Sequence, residues 1–280
     1  MGMHIVVCIK QVPDSSQIRV HPVTNTIMRQ GVPAVVNPFD LISLEEALRV
    51  KDAFGARVTV LSMGPKMAVD ALRKCVSYGA DDAILITDRV FAGSDTLATS
   101  YALSSAIRTI GRQQPVDMVF CGKQTIDGDT AQVGPGIARR LGLQQLTYVS
   151  RIEQVDPQAR EIVVHRRAEG GVQVMKTRLP CLVTMMEGAN TIRFADMDNM
   201  FRAARCEVLE WDHKAAGIEE LTRCGLKGSP TVVKKVFAPP PRANKAEVLD
   251  AAGKPPREVV DALLGKLFAK RPDLEQEMHP

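Results

Sequence analysis

Buried-strand patterns alternate with helix patterns through the first 142 residues of the chain. Helix patterns carry their own end signals, as where Asn37 and Pro38 open a segment that Gly55 ends. Between the helices, continuous apolar runs typical of buried parallel strands occupy His4 to Lys10, Arg57 to Met63, Ala83 to Thr87 and Asp117 to Cys121. Short connections in such an alternation predict the α/β class, with an open parallel Rossmann-like sheet and right-handed crossovers.

The chain changes character after this alternation. Strand-like segments over 146–184, separated by turn signals at Asp156-Pro157 and Gly170-Gly171, predict an antiparallel excursion that returns to the sheet at Cys181. Alternation between Gln17 and Arg29 predicts a surface hairpin. Periodicity is lost from Met186 to about Arg205. We therefore expect an α/β domain over residues 1–205.

Residues 206–280 have the pattern of an extended C-terminal arm. Short strand or loop pieces lead to Pro239-Pro240-Pro241, which is a stiff break. Arg257 to Lys270 then carries Val259, Val260, Leu263, Leu264 and Leu267 at helical spacing. This spacing predicts an amphipathic helix that folds back or lies on a partner.

A polar loop with three glycines follows the strand Asp117 to Cys121 and opens a helix at Gly136. In α/β proteins, the free N–H groups and the dipole of such a helix N-terminus face a bound anion. Gly122, Gly128 and Gly134 allow close backbone approach or a positive φ, and Lys123 can meet phosphate charge. The loop fits neither the P-loop pattern nor the dinucleotide Gly-x-Gly-x-x-Gly pattern.

Ligands of open parallel sheets bind at the carboxyl ends of the strands, beside a topological switch point. Strand ends are predicted at Cys8-Ile9-Lys10, Met63-Gly64-Pro65 and Gly122 to Val133, and Asn37 to Asp40 follows after a longer loop. We expect these segments to come together. No residue resembles a nucleophile or a tuned acid–base pair, so no catalytic residue is predicted.

Composition and charge exclude several classes of function. The net charge of +4 comes from 36 basic and 32 acidic residues without strong clustering, and aromatic residues make up 4%, so nucleic-acid binding is not expected. The six cysteines have no close pair, which predicts reduced thiols, no metal site and a cytoplasmic protein. Neither a signal peptide nor a membrane span is visible.

The chain resembles the beta subunit of electron-transfer flavoproteins over nearly its whole length. The resemblance is specific because several motifs occur together and in order. They are Val6-Val7-Cys8-Ile9-Lys10-Gln11-Val12-Pro13-Asp14, Val36-Asn37-Pro38-Phe39-Asp40, Glu45-Glu46-Ala47-Leu48, Ser62-Met63-Gly64-Pro65, Gly79-Ala80-Asp81 and Gly122-Lys123-Gln124-Thr125-Ile126-Asp127-Gly128-Asp129-Thr130-Ala131-Gln132. The resemblance implies a parallel α/β domain paired with an alpha subunit that carries the electron-transferring FAD.

The resemblance also implies a nucleotide site and its occupant. Its cofactor-binding residues would be Cys8, Asn37, Pro38, Phe39, Asp40, Met63, Gly122, Lys123, Gln124, Thr125, Ile126, Asp127, Gly128, Asp129, Thr130, Ala131, Gln132 and Val133. In many members this site holds AMP as a structural ligand; in electron-bifurcating members it holds a second FAD that meets NADH. The loop here resembles the FAD-bearing kind, since a glycine at position 128 would leave room for a second phosphate and a ribityl chain. The stretch Lys227 to Thr231 resembles that group too.

Partners follow from the same resemblance. About residues 185–205 resemble the loop that engages an acyl-CoA dehydrogenase or a related flavin dehydrogenase, although Ala189 stands where some members have an anchoring leucine. A bifurcating member would also reduce a low-potential acceptor such as ferredoxin or flavodoxin.

Several alternatives remain open at this point. The whole chain is also compatible with a stand-alone ATP-binding domain of the adenylating or stress-protein kind, although no ATP-type glycine-rich signature is present. Asp127 and Asp129 could form a metal pair, contact ribose hydroxyls or cap a helix. Lys10 and Lys123 could be solvated surface charges.

Overall fold

The computed structural model describes residues 2–14, 19–20, 27–28, 33–232, 234 and 246–274. The chain divides into two compact units, Met1–Val236 and Phe237–Pro280. Within the described residues no helix is both long enough and apolar enough to span a membrane.

Strands and helices alternate through the first half of the first unit. In chain order the elements are β1 His4–Cys8, β2 Gln11–Pro13, β3 Arg19–Val20, β4 Ile27–Met28, β5 Ala34–Val36, α1 Pro38–Phe54, β6 Arg57–Met63, α2 Val69–Tyr78, β7 Asp82–Ile86, α3 Thr96–Gln113, β8 Met118–Gly122 and α4 Val133–Leu141. The predicted alternation is confirmed. The predicted hairpin is present as the antiparallel pair β3–β4, and its tip lies outside the described residues.

The second half of this unit contains the antiparallel excursion. Its elements are β9 Gln144–Asp156, β10 Glu161–Ala168, β11 Gly171–Arg178, β12 Cys181–Met185, α5 Met197–Arg205 and β13 Leu209–Trp211. β10 pairs antiparallel with both β9 and β11, and β12 returns to pair parallel with β8. The prediction of an excursion that rejoins the sheet at Cys181 is confirmed.

A nine-stranded sheet in the order β11-β10-β9-β12-β8-β1-β6-β7-β13 forms the centre of this unit. β1 pairs parallel with β6 on one side and with β8 on the other. The chain therefore proceeds from β1 through β6 and β7 to one edge, and then crosses to β8 on the opposite side. This reversal places the topological switch point between β1 and β8, where open α/β sheets bind ligands.

Local sequence signals explain where the helices begin and end. Pro38 stands in the first turn of α1, and Gly55 ends this helix with a φ of 67°. The Asp95 side chain caps α3 by accepting hydrogen bonds from the N–H groups of Leu97 and Ala98. Apolar residues from the helices bury both faces of the sheet in two separate clusters, one centred on α1 and α2 and the other on α3 and α4.

Helix α5 was not predicted, and β13 lies where only short strand or loop pieces were expected, without a place in the sheet. The interval from Met186 to Arg205 was expected to lack periodicity, but α5 fills its second half. The helix begins where Asp196 accepts a hydrogen bond from the Asn199 N–H, and it places Met197, Met200 and Phe201 three and four residues apart. Both are ordinary helix signals, but a segment of nine residues is too short for its periodicity to be recognised from sequence.

Residues 206–236 belong to the same compact unit as the sheet. β13 pairs parallel with β7 at the sheet edge, and Ala216, Ile218 and Cys224 are buried in the cluster beneath α3. The sequence had placed the start of the C-terminal arm at residue 206, so the observed division lies further along the chain. In the second unit, α6 Pro256–Lys270 confirms the predicted helix, and none of its residues is buried.

Candidate functional site

The loops that leave β1 and β8 meet at the switch point, and the Asp40 carboxylate joins them. Its Oδ2 accepts a hydrogen bond from the Lys10 N–H at 2.8 Å, and its Oδ1 accepts one from the Gly122 N–H at 3.1 Å. Asp40 lies in the first turn of α1. We name the edge of the sheet around Lys10, Asp40 and Gly122 the switch-point crevice.

Burial changes the acidity of this bridging carboxyl. The Asp40 side chain is 5% exposed. Desolvation raises its pKa to about 7, and the hydrogen bonds from Asn37, Lys10 and Gly122 only partly oppose this effect. The Asp40 carboxyl, which joins the two loops, therefore titrates near neutral pH.

The Asn37 side chain forms hydrogen bonds with the loop after β8. Its Nδ2 donates to the Gln124 carbonyl at 2.9 Å, and its Oδ1 accepts from the Ile126 N–H at 3.2 Å. The side chain is fully buried and makes no capping hydrogen bond to α1. Asn37 occupies the N-cap position of α1, as the sequence suggested, but its side chain ties α1 to the loop after β8 and does not cap the helix.

The basic side chains at the site are engaged by carboxylates. Lys10 Nζ donates to Asp127 at 2.7 Å, and Lys123 Nζ donates to Glu187 at 3.0 Å while it lies 4.9 Å from the centre of the Phe39 ring. Burial raises the pKa of Asp127, but the hydrogen bonds from Lys10 and Thr125 outweigh it and hold that pKa below its ordinary value. A phosphate that approached either lysine would compete with these partners.

The glycines of the loop act differently from the sequence-based expectation. A Cβ on Gly122 would lie 2.4 Å from Asp40 Oδ1, and one on Gly134 would lie 2.8 Å from Thr184 Cγ2, so both are needed for protein packing. Positive φ occurs at Asp129 and Ala131, each at 54°, and at none of the three loop glycines. These are strained positions for residues with a side chain, which is common at ligand-binding loops.

Gly128 has a single close neighbour on the side that a Cβ would occupy. A Cβ there would meet only Thr125 Oγ1, at 3.3 Å. The neighbouring Asp129 side chain accepts from Gln124 Nε2 at 2.8 Å. Neither Asp127 nor Asp129 caps a helix, so that expectation was wrong. Within the described residues no group of three or more His, Cys, Asp or Glu could hold a metal ion.

The helix after the loop begins at Val133, three residues before the predicted start. Gln132 occupies the N-cap position without a capping hydrogen bond, and its Oε1 accepts from Thr96 Oγ1 at 2.8 Å. The first N–H groups of α4 are thus left without a side-chain cap, and they provide donors for an anion.

Apolar side chains form the floor beneath these loops. Cys8 and Cys121 are buried in the cluster under α3 and α4, and Met63 and Val133 pack against it. Next to Met63, the buried Ser62 hydroxyl has no hydrogen-bond partner among the described residues. Pro38 and Thr130 complete the candidate residues and are exposed. The structure therefore brings all the predicted segments to one edge of the sheet.

Two contributors to the site were not singled out from sequence. The Lys10 N–H is one anchor of Asp40, although only the Lys10 side chain had been considered. Ser43 Oγ donates to the Cys121 carbonyl at 2.6 Å and so attaches α1 to β8. A serine six residues into a helix carries no distinctive signal for such a contact.

Comparison with known proteins identifies the family. A family model described as "Electron transfer flavoprotein domain" matches residues 24–216. The chain belongs to the electron transfer flavoprotein family. It is 66% identical over 276 residues to Protein FixA of Azotobacter vinelandii. This match covers 99% of this chain and 98% of that protein. It is 44% identical over 265 residues to the electron transfer flavoprotein subunit beta of Clostridium acetobutylicum, which covers 95% and 98%.

In this electron transfer flavoprotein, the segment after β12 runs back along α1. Asn190 Nδ2 donates to the Ile42 carbonyl and to Glu46, both at 2.9 Å. Arg193 Nε donates to the buried Glu45 at 2.9 Å, which holds the chain just before Phe194. The Ala189 side chain packs against the core. The segment is thus fixed by α1 while its apolar side chains beyond Arg193 are left exposed.

Proposed function

We propose that this chain is the beta subunit of a heterodimeric electron-transfer flavoprotein, and that its switch-point crevice binds an adenine nucleotide. The observation that carries the proposal is the joining of the loops after β1 and β8 by Asp40, above an uncapped α4 N-terminus. Loops fixed in this way are prepared for a ligand before it arrives, so less ordering opposes binding.

The residues present suit the parts of such a nucleotide. Free N–H groups at the start of α4 suit phosphate, and the carboxylates of Asp127 and Asp129 suit ribose hydroxyls. Cys8 and Met63 offer an apolar surface for adenine. Lys10 must break its ion pair with Asp127 before it can bind a phosphate.

We propose FAD as the nucleotide, with AMP as the alternative. The support is the glycine at position 128, where a Cβ would already lie 3.3 Å from Thr125 Oγ1 and a larger side chain would reduce the room for a longer ligand. When bound, FAD supplies hydride acceptance from NADH and one-electron transfer to two acceptors, which is the basis of electron bifurcation. The protein's part is to position the ligand, to exclude water from the crevice and to keep the loops fixed.

The experiment is to co-purify the chain with its alpha subunit and to quantify FAD and AMP after denaturation. Two FAD and no AMP per heterodimer is the expected result. A Gly128→Leu variant should lose most of one FAD, because its side chain would press on Thr125 and take up room that a longer ligand needs. One FAD with one AMP would instead make this a structural nucleotide subunit and contradict the NADH role.

We also propose that α5 and the segment before it bind a flavin dehydrogenase. Phe194 is 97% exposed, and Met197, Met200 and Phe201 are each at least half exposed, so they form an apolar surface of the kind that marks an interaction site. Phe194→Ser should weaken binding of the cognate dehydrogenase at least tenfold without lowering the Tm. The matched control is Val232→Ser, another exposed apolar residue; equal effects of both variants would contradict the assignment.

A further inference from the structure

A second cleft, of about 370 Å³, lies against the outer face of α3 and shares no lining residue with the switch-point crevice. Tyr101, Arg108 and Arg112 line it from α3, and Arg140 lines it from α4. The segment after β13 closes it with Arg223. We name this space the arginine cleft. Three separate parts of the chain therefore place basic side chains around one concavity.

The positive charge of the arginine cleft is not balanced by its own residues. Four arginines line it (Arg108, Arg112, Arg140 and Arg223), against the two glutamates Glu219 and Glu220. The one ion pair in this set that the structure shows is Arg223 to Glu220 at 3.2 Å, and both of these side chains are largely exposed. Four positive and two negative groups leave an excess of two positive charges.

Arg140 is held in the cleft without a carboxylate. Its guanidinium donates to Ser100 Oγ and to the Leu97 carbonyl, both at 3.1 Å. Burial, and then repulsion by Arg223, lower the pKa of Arg140. Arg112 makes no hydrogen bond or ion pair with any residue that the structure describes. Neither guanidinium is paired with a carboxylate of the residues that the structure describes.

Tyr101 orders two of these side chains. The Arg223 guanidinium lies 4.2 Å from the centre of the Tyr101 ring, and that of Arg140 lies 5.5 Å from it. Contact with an aromatic ring restrains a guanidinium that would otherwise sample many rotamers. An ordered guanidinium presents its parallel N–H groups in the geometry that binds two phosphate oxygens at once.

We propose that the arginine cleft binds a small molecule that carries a diphosphate or triphosphate group. A dianionic group would balance the excess charge, and the cleft volume falls in the range of small-ligand sites, which begins at roughly 300 Å³. The concave shape favours a small anion over the flat acidic face of a protein. This site is separate from the proposed nucleotide site.

The test is calorimetric titration of the full-length chain with pyrophosphate at physiological salt, where exposed charges are well screened. The variant is Arg112→Gln with Arg223→Gln. The control is Arg73→Gln with Arg139→Gln, which removes the same charge from two exposed residues outside the cleft. We expect at least tenfold weaker binding in the variant and less than a twofold change in the control.

Three results would overturn the proposal: no binding of pyrophosphate to the wild type, equal loss in variant and control, or unchanged binding in the variant. If hexaglutamate bound through these arginines while pyrophosphate did not, the cleft would be a protein-docking surface and the proposal would again fail. The single variant Arg112→Gln provides a check on folding. Because Arg112 has no partner among the described residues, this variant should keep the wild-type Tm and still bind several-fold more weakly.

Discussion

At the scale of single residues, Asp40 links the loops of the switch-point crevice to pH. Its pKa is raised to about 7, chiefly by burial. The folded state therefore holds a proton that the unfolded state releases at lower pH, so this group's contribution to stability falls as pH rises from about 4 to about 7. Above that range the contribution no longer changes.

The variant Asp40→Asn removes this titration. The unfolding free energy of the wild type minus that of Asp40→Asn should decrease between pH 4 and pH 7. The decrease should be on the order of 1.4 kcal/mol per unit of pKa shift, a few kcal/mol in all. The difference should then stay constant to pH 9. Urea denaturation at each pH measures it. The control Asp70→Asn, at an exposed position of α2, keeps Asp40 and should therefore keep the pH dependence that Asp40 gives the wild type. A difference that is constant or rises with pH would refute the assignment to Asp40.

At the scale of elements, the helix ends that were predicted correctly are those with local signals. Pro38 and Gly55 mark α1, because a cap acts within one turn of its own residue. β13 has only three residues, and it pairs with β7 more than a hundred residues earlier. Its position depends on that distant pairing, which no local pattern contains.

Asp95 takes part both in a local helix cap and in a contact with a segment far away in the sequence. One oxygen caps α3 through Leu97 and Ala98, and the other accepts from the Thr231 N–H at 3.2 Å and from Thr231 Oγ1 at 2.8 Å. Asp95→Ala therefore removes a cap and an anchor of the C-terminal segment, and we expect a loss of about 2 to 3 kcal/mol of unfolding free energy.

A cap without such an anchor provides the comparison for Asp95. Asp196→Ala should lose only about 1 kcal/mol of unfolding free energy, because both oxygens of Asp196 accept hydrogen bonds from Asn199, in the first turn of the same helix. In a double-mutant cycle, Asp95→Ala and Thr231→Val should couple by about 1 kcal/mol. Strictly additive losses in chemical denaturation would show that Thr231 contributes nothing through Asp95.

At the scale of the whole molecule, the candidate site was predictable and its internal contacts were not. Strand ends of a parallel sheet lie at one edge, so periodicity alone brings Cys8, Met63 and Gly122 together. That Asn37 would bond the loop and not its own helix depends on side-chain geometry that sequence does not specify. The arginine cleft was missed for a related reason: its residues come from α3, α4 and the segment after β13, and no two of these segments are adjacent in sequence.

The compact unit Met1–Val236 should fold without the rest of the chain. No residue of α6 is buried, whereas Ala216, Ile218 and Cys224 are at most 3% exposed in the core under α3. A chain that ends at residue 236 should therefore keep a single cooperative urea transition, within about 1 kcal/mol of the full-length value. A chain that ends at residue 212 loses those three core side chains and should be destabilised by at least about 3 kcal/mol. Similar destabilisation of both truncations would mean that residues 237–280 contribute to the stability of the sheet, contrary to this division.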